Sequence, residues 1–176
     1  MKVSLKGHFL HWERMLRDSH YRRQAMERHR LQKLPRYTPT VTNLLESPFE
    51  IADPASFLEM HEQIWEHENY RFVSRSEKPY ILDCGANIGL SVLFFKHLYP
   101  DATVVAFEPA DEIFQILERN VRRAGSTGIE LVRKAVWTSA TTLPFFSEGS
   151  YGGRVARNGD PRNRTIETVR LRDYLD

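Results

Sequence analysis

Two carboxylates and two glycines at fixed offsets could grip a cationic, ribose-bearing ligand in this chain of 176 residues. Asp83 closes the apolar run Tyr80-Ile81-Leu82, and the turn Asp83-Cys84-Gly85-Ala86-Asn87-Ile88-Gly89 opens an amphipathic stretch from Leu90 to Tyr99. A second apolar run, Thr103-Val104-Val105-Ala106-Phe107, ends in Glu108-Pro109. Strand, glycine turn, helix, strand, acid is the opening of a nucleotide-binding α/β unit. Glycines at the turn let the backbone bend sharply and let a ligand approach the main chain. Amides at the start of the helix would favour an anion such as a diphosphate, but a carboxylate at Asp83 opposes one and attracts a cation. Glu108 suits both hydroxyls of a ribose, each charge-assisted bond contributing roughly 1.5–3 kcal/mol. S-adenosylmethionine, with a sulfonium, an ammonium and no phosphate, meets both conditions. The competing reading makes Asp83 a helix-cap acid and Glu108 a solvated strand end. It leaves the register of strand, turn, helix and second acid to coincidence.

The segment Ile81-Leu82-Asp83-Cys84-Gly85-Ala86-Asn87-Ile88-Gly89, followed by Val105-Ala106-Phe107-Glu108-Pro109, resembles the FkbM-type methyltransferases. The asparagine in the turn and the Phe-Glu-Pro ending are its more specific elements. The resemblance covers about residues 48 to 176 and is best between 80 and 137. It implies a Rossmann-like class I methyltransferase fold, an α/β architecture with helices on both faces of a parallel sheet. It also implies S-adenosylmethionine as cofactor and O-methylation of a hydroxyl on a sugar or natural-product acceptor. By the same resemblance Asp83, Gly85, Ala86, Asn87 and Gly89 line the cofactor's methionine half, Glu108 holds the ribose, and Ala135 and Val136 flank the adenine. One departure stands out. The family continues into a leucine-rich strand carrying an acidic motif, whereas this sequence stops at Asp176. The fourth strand of a class I sheet pairs beside the first. The expectation is therefore a domain truncated at its C-terminal end, with an open edge on the strand that carries Asp83. Such an edge invites a partner or self-association, unless residues 143–171 cover it.

These residues need elements to position them. The pattern predicts strand 80–84, a helix over about 89–98, strand 103–108, a helix from about Ala110 to Ala124, and a third parallel strand over 129–136. Asp53 caps a predicted helix from Pro54 to about Glu68, from which Trp65 and His67, with Tyr70 just beyond, could reach the site. Leu143–Ser147 and Val155–Arg157 flank a glycine-rich tip, the signature of an antiparallel hairpin, and Thr165–Leu171 alternates like a further strand. Glu66, His67 and Glu148 are the candidate general bases, none of them assigned.

Residues 1–40 read as a basic helical arm and 41–176 as the methyltransferase-like domain. Residues 1–34 hold nine Lys or Arg against three acids, while the whole chain is only +2, so the body is net negative. The arm could lie on an anionic membrane, grip nucleic acid, or pack as an accessory helix on its own domain or a partner, the last being the simplest. Nucleic-acid methylation ranks low because the body lacks a basic, aromatic-lined surface pattern. A nicotinamide oxidoreductase ranks lower, since Asp83 opposes a diphosphate. A non-catalytic cofactor-binding or interaction module is the main alternative to an enzyme. No apolar run reaches the roughly 18–20 residues of a membrane span, and no secretory pattern opens the chain, which makes a cytoplasmic protein the default. Cys84, the single cysteine, rules out an internal disulfide and is expected to be small and buried. No metal role is expected, since His61 and His67 do not share a helix face.

Overall fold

The computed structural model describes residues 17–147, 153–157, 160 and 164–175. At its centre β3 (Tyr80–Cys84), β4 (Thr103–Phe107) and β5 (Ile129–Val132) form a parallel sheet in the order β3-β4-β5. Tyr80 aligns with Thr103 and Cys84 with Phe107, so the two acids that follow the apolar runs emerge at one end of the sheet. Val104, Val105, Ala106 and Phe107 of the middle strand are all buried, which is why it reads as a continuous apolar run rather than an alternation. Strands connected by α3 (Leu90–Leu98) and α4 (Asp111–Ala124) bear out the α/β fold, and the bounds of β3, α3, β4 and α4 fall within a residue of those expected. Ile81, Val104 and Ala106 share one apolar cluster with Leu90, Val92 and Phe94 of α3 and Leu117 of α4. Phe107 points the other way by strand alternation; there it meets Tyr174 of the 3₁₀ turn Leu171–Tyr174, edge to face at 4.9 Å. Among the described residues the outer edge of β3 carries no strand.

Helix α4 has its charges arranged along its dipole, Asp111 and Glu112 in the first turn and Arg122 and Arg123 in the last. It ends where Gly125 takes a left-handed φ of 65°. Buried Asn120, in its middle, ties three segments together. Its amide donates to the carbonyls of Glu50 and Ile88, both at 2.9 Å, and its Oδ1 accepts from Glu50 N at 2.7 Å. Replacing Asn120 with leucine would strand these backbone groups beside the glycine turn. A loss of about 2–4 kcal/mol in unfolding free energy is expected, measurable by urea denaturation; a change under about 1 kcal/mol would contradict this role.

The expected strand over 129–136 is two strands. β5 ends at Val132, whose carbonyl accepts from both Glu108 N and Lys134 N. The chain then turns, and β6 (Ala135–Trp137) leaves β4 to pair with a different sheet. That sheet runs β6-β9-β7-β8. Its hairpin, β7 (Thr142–Ser147) with β8 (Gly153–Val155), is antiparallel as expected, and β9 (Arg164–Arg170) lies parallel to β6 and antiparallel to β7. The hairpin's tip, residues 148–152, lies outside the described residues.

Of the basic arm, the stretch read as helical before residue 17 also lies outside them. Helix α1 (Ser19–Gln32) is capped by Asp18, which accepts from His20 N and Tyr21 N. It buries Leu31 in the common core, and Gln24 donates to the Leu44 carbonyl. The short antiparallel pair β1 (Thr40–Thr42) and β2 (Phe49–Ile51) leads to α2 (Pro54–His61). Asp53 caps α2 as expected, accepting from Ser56 N at 3.2 Å and Ser56 Oγ at 2.6 Å. The helix does not run on as α to Glu68. It widens into a π-turn over Glu62–Glu66, closed by His67 N donating to the Glu62 carbonyl at 2.9 Å.

Candidate functional site

A cavity of about 410 Å³ opens where β3 and β4 end, the position at which open α/β sheets bind ligands. Its floor is Gly85, Ala86 and Asn87 of the turn with Glu108 and Pro109 after β4; Lys134, Ala135 and Val136 line it beyond β5. Six of the eight expected cofactor residues therefore meet in one cavity: Gly85, Ala86, Asn87, Glu108, Ala135 and Val136.

The other two, Asp83 and Gly89, stand behind the wall rather than in it. The Asp83 carboxylate is buried and accepts a 2.6 Å hydrogen bond from Ser91 Oγ on the first turn of α3. Burial pushes its pKa above the ordinary value, and the serine hydroxyl only partly offsets that. Asp83 thus fixes the helix start, and its charge reaches the cavity only at second hand. Gly89 has a left-handed φ of 94°, and a Cβ built on it would lie 2.7 Å from Leu117 Cδ1. Its role is close packing of the turn against α4. Gly85, at φ 96°, lines the cavity and has no heavy atom within 4 Å of its Cβ position, so a side chain there would meet open space.

The turn's amides are committed within the fold, to the end of β4 and to the turn itself. Gly85 N and Ala86 N both donate to the Phe107 carbonyl at 2.9 Å, and Gly89 N donates to Ala86 O at 2.9 Å. Asn87 N donates to Glu108 Oε2 at 3.1 Å, and Ile88 N to Asn87 Oδ1 at 2.8 Å. Asn87 reaches this geometry with φ 50°, a left-handed value that asparagine tolerates better than most residues. All five N–H groups from Gly85 to Gly89 are committed, so none of these five is free for a phosphate.

Glu108 is held from both sides. Its Oε1 accepts from Ala110 N at 2.8 Å while Oε2 accepts from Asn87 N. Each carboxylate oxygen keeps acceptor capacity for a further donor, and the pair faces the cavity as a fixed, two-pronged acceptor. Burial raises its pKa; the two amides pull it back, and the nearby Asp83 charge adds to the rise.

Sequence reasoning had not assigned several lining residues. Met60, Gln63 and Ile64 come from the end of α2 and the π-turn, Phe145 and Gly153 from the hairpin. The i, i+3, i+4 spacing of Met60, Gln63 and Ile64 was the available signal. Tyr70 lines the cavity as one of the three expected overlying residues. Trp65 packs instead edge to face on Phe94 at 5.6 Å, and His67 is exposed near Glu62. Glu66 pairs with Arg28 and His61 away from the cavity, and Glu148 lies outside the described residues. Cys84 is exposed and lines the cavity rather than being buried, because it ends the strand whose outer side is open. Partial desolvation of its sulfur against the strand end, together with the Asp83 charge, raises the thiol's pKa, which argues against a reactive thiolate.

No family model matches the chain. It is 35% identical over 109 residues to "Methyltransferase sdnD" of Sordaria araneosa, an overlap of 61% of this chain and 42% of that protein. It is 34% identical over 82 residues to "Methyltransferase 1" of Beauveria bassiana (strain ARSEF 2860), covering 45% of this chain and 33% of the relative. The chain thus matches well under half the length of these curated relatives. Among solved structures, methyltransferase FkbM from Methylobacillus flagellatus KT overlays 66% of this chain and 27% of its own, at 17% identity and a TM-score of 0.46. M. jannaschii TYW2 in complex with AdoMet overlays 56% of this chain and 44% of its own, at 18% identity and a TM-score of 0.44. No helix among the described residues is long and apolar enough to cross a membrane. Over 109 and 82 residues respectively, this chain is similar in sequence to these two methyltransferases.

Proposed function

We propose that this chain binds S-adenosylmethionine in the cavity between the glycine turn and Glu108, and serves transfer of its methyl group to a hydroxyl oxygen of a sugar or natural-product acceptor. The observation that carries this reading is the pairing of a turn whose amides are all internally bonded with a buried carboxylate held ready to accept. The five turn amides are not available to a diphosphate, and the buried Glu108 carboxylate, with acceptor capacity to spare, suits the ribose hydroxyls of a phosphate-free adenosine ligand. Sequence similarity to two methyltransferases supports it.

Glu108 would hold the ribose hydroxyls, with Ala135 and Val136 beside the adenine. Gly85, Ala86 and Asn87 would follow the methionine half. When bound, the cofactor supplies a methyl group made electrophilic by its positively charged sulfur. The chain's part is to orient the acceptor oxygen in line with the C–S bond and to exclude water. Met60, Ile64 and Phe145 provide apolar cover for that purpose.

Incubation with S-adenosylmethionine labelled in its methyl group and a panel of glycosides tests the reading. Label is expected in a base-stable ether product. Cofactor binding with no transfer to any hydroxyl acceptor would favour the alternative, a binding or interaction module.

A further inference from the structure

One wall of the cavity has hydrogen-bonding capacity that nothing in the described fold uses. The backbone around Gln63 is satisfied: its carbonyl accepts from Asn69 N at 3.0 Å, as the Glu62 carbonyl does from His67 N. Gln63 is half-buried and lines the cavity, and its side-chain carboxamide has no hydrogen-bond partner among the described residues. That group carries two donors and a carbonyl acceptor, and leaving them unmet in a partly buried place is unfavourable. The π-turn over Glu62–Glu66 presents it there. Such widened turns are rare and concentrate at functional sites. The turn is anchored from behind by Arg28, which bonds both His61 and Glu66.

Tyr70 lines the same cavity. One face of its ring stacks on Phe95 at 6.2 Å and 17°. The residue remains 48% exposed, and its hydroxyl has no partner among the described residues. The charged lining residues, Glu108 and Lys134, come from the ends of β4 and β5, and Lys134 is already paired with Glu167 at 2.8 Å. The Gln63–Tyr70 wall is therefore neutral, polar and aromatic, flanked by apolar Met60 and Ile64. A neutral ring bearing several hydroxyls and an apolar face, such as a sugar, matches it; a carboxylate or phosphate finds no cation there.

We propose that Gln63 and Tyr70 are positioning residues for the acceptor, taking a neutral sugar ring against Tyr70 with a hydroxyl bonded to the Gln63 carboxamide. This rests on the cofactor reading of the adjoining floor. The test uses the full chain saturated with S-adenosylhomocysteine and methyl β-D-glucopyranoside as probe, followed by saturation-transfer NMR. Wild-type protein is expected to transfer saturation to the glucoside. Gln63→Ala and Tyr70→Ala should weaken its binding at least about tenfold, while Tyr70→Phe, which keeps the ring, should restore most of it. S-adenosylhomocysteine affinity should stay within about twofold in all three variants, which a merely structural role would not predict. Undiminished glucoside binding in both alanine variants, or none in the loaded wild type, overturns the proposal. If S-adenosylhomocysteine itself does not bind, the cofactor reading fails first and this inference falls with it.

Discussion

Glu108→Ala is expected to raise the dissociation constant for S-adenosylhomocysteine by roughly 100-fold or more. Two charge-assisted bonds at about 1.5–3 kcal/mol each amount to at least about 3 kcal/mol, and each 1.4 kcal/mol is tenfold in affinity. Alanine is a cleaner probe than glutamine. Both Glu108 oxygens accept from backbone amides, so a glutamine would have to turn its NH₂ toward one of those N–H groups. The wild-type pH profile provides a second signature. Only the ionised carboxylate accepts from both hydroxyls, and burial sets its pKa above the usual 4.5. Affinity should therefore fall as pH is lowered, beginning at higher pH than an ordinary glutamate would allow. Glu108's own contribution to folding runs the opposite way. A raised carboxylate pKa means the folded state holds the proton more tightly than the unfolded state, so that contribution diminishes as pH rises through the same window. Calorimetry across pH 4.5 to 8 should show the affinity slope in wild type and its loss in Glu108→Ala. A flat wild-type profile would remove Glu108 from the ligand contact.

Alanine at the two turn glycines is expected to separate binding from stability. Gly89→Ala combines a left-handed backbone, costing about 1–2 kcal/mol for an L-residue, with a methyl driven into fully buried Leu117. Overpacking of that kind typically costs a further 1–3 kcal/mol, for a total of about 2–5 kcal/mol in unfolding free energy. At Gly85 the added methyl meets open space at the cavity wall. Gly85→Ala should lose only the conformational part in stability, yet weaken S-adenosylhomocysteine binding about tenfold or more by occupying ligand space. Chemical denaturation and calorimetry on both variants check the pair. Equal stability losses with equal affinities would mean that Gly85 does not face the ligand.

The half of the fold that builds the turn was legible because each boundary there has a local cause. Asp83 ends an apolar run, Gly89 admits a left-handed residue before α3, and Gly125 closes α4. What could not be read rests on partners far along the chain. Val132 and Ala135 sit in what looks like one strand, and only the pairing of Ala135 with Thr168 reveals that the chain changes sheets between them. The direction of the Asp83 side chain depends on Ser91 lying under it, a contact created by the turn's closure rather than by composition. The π-turn escaped notice because a widened turn uses the same residue types as an α-helix. Its effect was decisive, since it leaves His67 exposed while Gln63 lines the cavity. Asn120 was hidden for a related reason. A lone asparagine on an apolar helix face does not announce that two backbone segments will need its amide.

The central claim is that the ends of β3 and β4 form a receptor for a phosphate-free adenosine ligand. Isothermal titration of the folded chain with S-adenosylhomocysteine near neutral pH, alongside NAD as a diphosphate-bearing competitor, addresses it most directly. The account predicts saturable one-site binding of S-adenosylhomocysteine in the micromolar range and no displacement by NAD. Absence of binding heat from a well-folded sample, or preference for NAD, would contradict it.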